Sequence, residues 1–211
     1  MKKTFRKKSK IKKNSKIYKD IKGGVFSPKK IKQRVKSSTK QLKSLLLQKN
    51  IPKAELKSKL KKIGATDTVL SDMVNIAIQI TEDYEKKLKD KDWEFSVEET
   101  KQKAFNAVEV SWGREISGIA LEEFVAMYRG YRAVWIPSSS RDPRFEHMPF
   151  YGEEFIIGVG VDAEFSKKDL AVDLGSVGLH PAQEWGCNCG IQIISDASVN
   201  DSDITFNRKK K

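Results

Sequence analysis

An α+β fold is expected from this sequence: N-terminal helices after a disordered basic arm, followed by a small mixed or antiparallel sheet module. Three observations predict it. Cations crowd the first fifth of the chain almost without acids. Two long stretches then carry apolar residues at spacings of three and four, the helical period. From Ala133 onward short apolar pieces alternate with turn-rich sequence, as strands of a small sheet do.

Residues 1–50 hold 19 Lys or Arg and one acid, Asp20, a formal +18, whereas residues 51–211 hold 22 basic and 27 acidic residues, a formal −5. Residues 1–27 read as a disordered arm, because "MKKTFRKKSKIKKNSKIYKDIKGG" buries little and repels itself unless a polyanion neutralises it. Nucleic acid is the obvious polyanion. Lysine dominates, and Phe5, Tyr18 and Phe26 are the only aromatics in residues 1–50. Backbone neutralisation by Lys2, Lys3, Arg6, Lys7, Lys8, Lys10, Lys12, Lys13 and Lys16 is therefore expected ahead of base reading. The same composition suits a solvated tail or a targeting cluster ("RKKSKIKK"). Deleting residues 1–25 is expected to abolish salt-dependent DNA retention and leave the body folded.

No leader or membrane span is expected, since no apolar run follows the charged start and "MVNIAIQI" is too short and too polar to cross a bilayer. Two cysteines in such a chain are expected to be reduced thiols.

Residues 28–95 read as a helical adaptor. "KKIKQRVKSSTKQLKSLLLQKN" forms a basic helix with Leu42, Leu45, Leu46 and Leu47 gathered at its end. "IPKAELKSKLKKIG" is a short helix with Pro52 in its first turn and Gly64 as its stop. Then Leu70, Met73, Val74, Ala77, Ile80, Tyr84 and Leu88 make one apolar stripe on a long helix. The α+β module is placed at residues 96–206 and a basic tail at 207–211. A capping box, Ser96 with Glu99, opens its long helix, which is expected to break near Gly113 or Gly118. Trp112 and Arg114 suit either an interface anchor or helix packing. "AVWI", "EFIIGVGV", "GIQII" and "DITF" are the expected strands.

"HPAQEWGCNCGIQII" holds the only two cysteines, Cys187 and Cys189. A redox pair is disfavoured, because a one-residue gap makes a strained ring and no helix N-terminus activates either thiol. A structural zinc site would take His147, Cys187 and Cys189, with His180 or Asp142 as a fourth ligand. A packed turn would make both thiols small buried hydrophobes that pin "GIQII" beneath Trp185. Arg144 would clamp a carboxylate such as Glu146 or Asp142, and His147 would bond a backbone carbonyl. A phosphodiester nuclease would instead use His147 as general acid or base beside Asp142, Glu146, Glu153 and Glu154.

Arg144, His147, Gly152, Pro181, Trp185, Gly186, Cys187 and Cys189, in that order, resemble the motif of the head morphogenesis domain of tailed bacteriophages, the Mu F-like minor head protein family. The resemblance spans about residues 100–195; Asn188 stands where an Arg is usual and Pro143 where a Thr or Ser is common. It implies a minor head protein with no established enzymatic activity, located in the phage head interior or portal vertex and in host cytoplasm during assembly. Its partners would be portal or major capsid protein and packaged double-stranded DNA, and its role head morphogenesis and genome packaging or delivery. The alternatives are a metal-dependent nuclease or toxin on the same module, and a generic basic-armed nucleic-acid-binding protein.

Overall fold

Ser15 accepts the Tyr18 amide at 3.0 Å and so opens helix α1, Lys16–Lys22, whose Ile17 and Ile21 are buried one turn apart. The computed structural model describes residues 9–138, 140–141, 143–161, 172–176, 178–184 and 186–198. Ile11 is buried as well, its strand-like segment held by the Lys12 amide on the Gly64 carbonyl at 2.7 Å and the Thr66 amide on the Lys10 carbonyl at 2.9 Å. Strand β1, Val25–Phe26, then buries Phe26.

The expected disordered arm is thus corrected: from Ser9 to Ser27 the chain is part of the fold. Its lysines outnumber its apolar residues, yet Ile11, Ile17, Ile21 and Phe26 all point inward, and each such burial is worth about 1.5–3 kcal/mol. Deleting residues 1–25 removes three of these side chains, so the expectation that the body would stay folded is withdrawn. Lys2, Lys3, Arg6, Lys7 and Lys8 lie outside the described residues, as do the expected strand "DITF" and the basic tail.

Helix α2, Pro28–Thr39, is capped by Ser27 and followed by a 3-10 turn and α3, Lys43–Leu46. Helix α4, Lys53–Leu60, runs into a 3-10 turn that ends at Gly64, whose φ of +85° places it in the left-handed region. Helix α5, Asp67–Lys87, buries Leu70, Met73, Val74 and Ala77 of the expected stripe, while Ile80, Tyr84 and Leu88 are half-buried.

Helix α6, Val97–Tyr128, begins at the capping box, with both the Ser96 and Glu99 contacts made, and is continuous for 32 residues. The expected break at Gly113 or Gly118 does not occur. Each glycine is a point of close approach: a Cβ at Gly113 would stand 3.3 Å from Lys32 Cγ, and one at Gly118 would stand 3.0 Å from Val172. α1, α2 and α5 all pack on α6, and one buried cluster extends from Ile11 to Ile191. Residues 28–95 therefore share one core with the elements on either side of them.

The sheet has the order β1-β4-β2-β3 and is antiparallel throughout. Strand β2, Tyr131–Ile136, pairs with β3, Glu154–Ile156, and with β4, Gly190–Ser198. Ala133 and Trp135 alternate inward, and Trp135 lies opposite Ile191. "EFIIGVGV" stops as a strand at Ile156, because Gly158 and Gly160 take φ of +92° and +85° and turn the chain against Arg129 and Gly178. The 3-10 turn Phe145–Phe150 and the loop 178–189 close over the end of the sheet where β2 finishes and β4 starts.

Candidate metal centre

Cys189 immediately precedes β4, so its sulfur is delivered at the sheet end beside Trp135. Two turns bring Cys187 there too. In the first, the Gln183 amide bonds the His180 carbonyl at 3.2 Å, with Pro181 and then Ala182 at its corners; Ala182 has a φ of 65°, the left-handed value that a type II turn demands at that corner. The strained corner aims the Ala182 amide at Cys187 Sγ, 3.3 Å away. In the second, the Cys187 amide bonds the Glu184 carbonyl at 3.1 Å, and Gly186 at φ 79° takes the left-handed place. The Cys189 amide then also meets Cys187 Sγ, at 3.4 Å. A one-residue gap therefore suffices to turn backbone amides towards a sulfur.

His147 comes from the 3-10 turn, fully buried and edge-on to Trp135, ring centroids 5.5 Å apart. Its Nδ1 stands 3.4 Å from Cys187 Sγ and 3.6 Å from Cys189 Sγ. Its Nε2 stands 2.5 Å from Glu184 Oε2, which also accepts from Arg144 Nη1 at 3.1 Å. A carboxylate only accepts, so the ring proton sits on Nε2 and the Nδ1 lone pair faces the two sulfurs. Arg144 fixes the carboxylate, the carboxylate fixes the ring, and the ring meets the thiols.

This arrangement fits a metal ion. The three ligand atoms lie within 4.8 Å of one another, and the edges of a zinc tetrahedron with sulfur and nitrogen ligands are about 3.6 Å, close to the two nitrogen–sulfur distances. A histidine ligand that gives its second nitrogen to a carboxylate is the usual outer support of such a site. Beside the group a cavity of about 30 Å³, lined by Ser138, Arg144 and Asn188 among others, has room for a water as fourth ligand.

Without an ion the electrostatics divide: Cys189 is moved towards its ligating form, Cys187 and His147 away from it. The bond from Cys187 and the donors Trp135 and Tyr151 outweigh burial and bring the Cys189 thiol down to about 7, while the Cys187 thiol is pushed well up, first by that same shared proton and then by burial. Burial opposes protonation of His147, but Cys187 and Glu184 more than offset it and raise its pKa. Trp135 Nε1 and Tyr151 Oη are buried without hydrogen-bond geometry to any described group. Both lean on Cys189 and favour its thiolate.

Of the sequence-derived site residues, Arg144, His147, Pro181, Gly186, Cys187 and Cys189 converge here. Gly152, φ 82°, makes the turn into β3, with its amide on the Trp135 carbonyl at 2.9 Å. Trp185 and Asp142 lie outside the described residues. His180 is not a ligand of this group: it is buried across the loop, where its Nε2 accepts the Gly158 amide at 2.9 Å. Arg144 holds Glu184, not Glu146, which is exposed; Glu153 is exposed and Glu154 pairs with Arg132. Of the expected phosphate contacts, Lys10 pairs with Glu122 at 3.5 Å, and Lys12, Lys13 and Lys16 are exposed. Sequence reasoning missed Glu184, Trp135 and Tyr151. An acid three residues before Cys187 was the one available signal.

His180 gives the fold an acid limit. Burial, with a smaller contribution from the Arg129 charge, lowers its pKa to about 4, against an ordinary value near 6.5. The unfolded chain takes up this proton first, so the stability it contributes is complete above about pH 6.5 and is lost as the pH falls towards 4, by about 3 kcal/mol. Urea unfolding at a series of pH values should show this decline, and His180→Gln should flatten it.

No protein-family model, curated protein or solved structure matches the chain.

Proposed function

We propose that this chain is a minor head protein of a tailed bacteriophage, of the Mu F-like type, and that a zinc ion held by His147 Nδ1, Cys187 Sγ and Cys189 Sγ closes its sheet module. One observation carries the reading: of the motif of the resemblance, His147 and, 40 and 42 residues further on, Cys187 and Cys189 meet in one buried group, which Arg144 reaches from the surface through Glu184. A motif whose parts converge on a common structural centre is explained as a unit. The zinc would supply a cross-link between the 3-10 turn and the start of β4; the chain's own residues orient the ligands and exclude water from them.

The work of such a protein is binding. The acidic body would meet portal or capsid protein, and the basic N-terminal region would meet packaged DNA, where phosphate repulsion is greatest. Among the described residues no helix is long and apolar enough to cross a membrane. Heads purified from cells producing the phage that encodes the chain should retain it through a high-salt wash, in a small fixed number of copies per head. Its absence from heads, or metal-dependent cleavage of DNA by the purified protein that His147→Ala abolishes, would replace this reading with the nuclease.

A further inference from the structure

A groove of about 610 Å³ runs between α2 and α6 and ends at the cysteine loop, where Asn188 lines it. Its walls are basic, three of the four cations coming from the Lys-rich first 50 residues. α2 contributes Lys29, Lys32 and Lys36, spaced three and four apart and so on one stripe of the helix. The other side of α2 is committed to the core through Ile31, Val35 and Thr39. Arg114 of α6 faces the same space. Among the described residues lining the groove the one carboxylate is Glu109, which already accepts the Thr39 hydroxyl at 3.1 Å.

Lys32 is placed by construction rather than by chance. Its stem crosses α6 over Gly113, where any Cβ would crowd Lys32 Cγ at 3.3 Å, and its Nζ donates to Asn188 Oδ1 at 2.7 Å. The side chain is half-buried, and burial first, then the neighbouring Arg114 charge, hold its ammonium below the usual range. The Arg114 charge thus stands close enough to be felt at Lys32, which places two cations at the inner end of the groove.

We propose that this groove is a phosphate-backbone site for double-stranded DNA, in which Lys32 and Arg114 take one phosphodiester at the inner end and Lys29 and Lys36 neutralise the flanking ones. From Lys29 to Lys36 the helix advances about 10 Å, the length of about three nucleotide steps along one strand. The site deepens the head-protein reading and rests on its DNA contact. It moves that contact from the chain terminus to the folded body, beside the metal group.

The test is the salt dependence of binding to a short labelled DNA duplex of mixed sequence, followed by fluorescence anisotropy. The Lys32→Gln, Arg114→Gln protein should bind more weakly and lose about one from the slope of log affinity against log salt, at roughly 0.9 per phosphate contact removed. Lys29→Gln, Lys36→Gln, which changes only exposed side chains and so guards against loss of fold, should lose about two from the slope, one for each flanking phosphate. Lys49→Gln, Lys53→Gln removes equal charge outside the groove and should leave the slope unchanged. If all three variants behave alike, the groove is not the site, though the DNA contact of the head-protein reading stands. If the unaltered protein binds no DNA at any salt, both fall.

Discussion

Replacing His147 with Ala, or Cys187 and Cys189 together with Ser, should take the purified protein from one zinc per chain to none and lower its melting temperature. An ion that binds only the folded state at a thousandfold excess over its dissociation constant contributes about 4 kcal/mol. For a chain of this size, a change of that order shifts the midpoint by roughly 8–16 °C. Elemental analysis and calorimetry check both halves. Unaltered protein stripped by a chelator should melt close to the His147→Ala protein, because both lack the same cross-link. Glu184→Gln is the finer probe. It keeps the side chain's shape but gives His147 and Arg144 a neutral partner, and should weaken zinc binding about 10–100-fold, as loss of an outer-shell carboxylate does.

Trp112→Ala should cost about 3–5 kcal/mol in urea unfolding, the usual loss for truncating a fully buried aromatic. Trp112 has no exposed surface, and its Nε1 donates to the Met73 carbonyl at 2.7 Å, tying α6 to α5 at the centre of the molecule. It is therefore a packing residue and not an interface anchor. Trp112→Phe should cost less, since most of the apolar volume remains and only the bond to Met73 is lost. Equal unfolding curves for the Ala variant and the parent would contradict this placement of α6.

What the sequence revealed was what local rules govern. The capping box at Ser96 and Glu99, the left-handed stop at Gly64 and the stripe from Leu70 to Ala77 depend on residues three or four apart, and all three are in place. The N-terminal segment was misread because its lysines mask four inward-pointing residues whose partners, Ala65 and Ile191 among them, are far along the chain. Gly113 read as a break because its neighbour Lys32 lies on another helix.

The candidate site divides in the same way. His147, Cys187 and Cys189 were legible as ligand types, and the geometry gathers them. Glu184 was not, since nothing in the order of residues says which acid Arg144 and His147 will share across a separation of 40 and 37 positions. His180 read as a possible ligand because it is a histidine near two cysteines. Its ring is instead committed to the Gly158 amide by the turn at Pro181 and Ala182.

X-ray absorption at the zinc edge of the zinc-loaded protein tests the central claim most directly. Two sulfur ligands near 2.3 Å and nitrogen or oxygen ligands near 2.0–2.1 Å are predicted, with the sulfur shell lost in Cys187→Ser, Cys189→Ser. Zinc bound only by nitrogen and oxygen, or no stoichiometric zinc at all, would contradict the account and leave the two thiols as a packed turn at the start of β4.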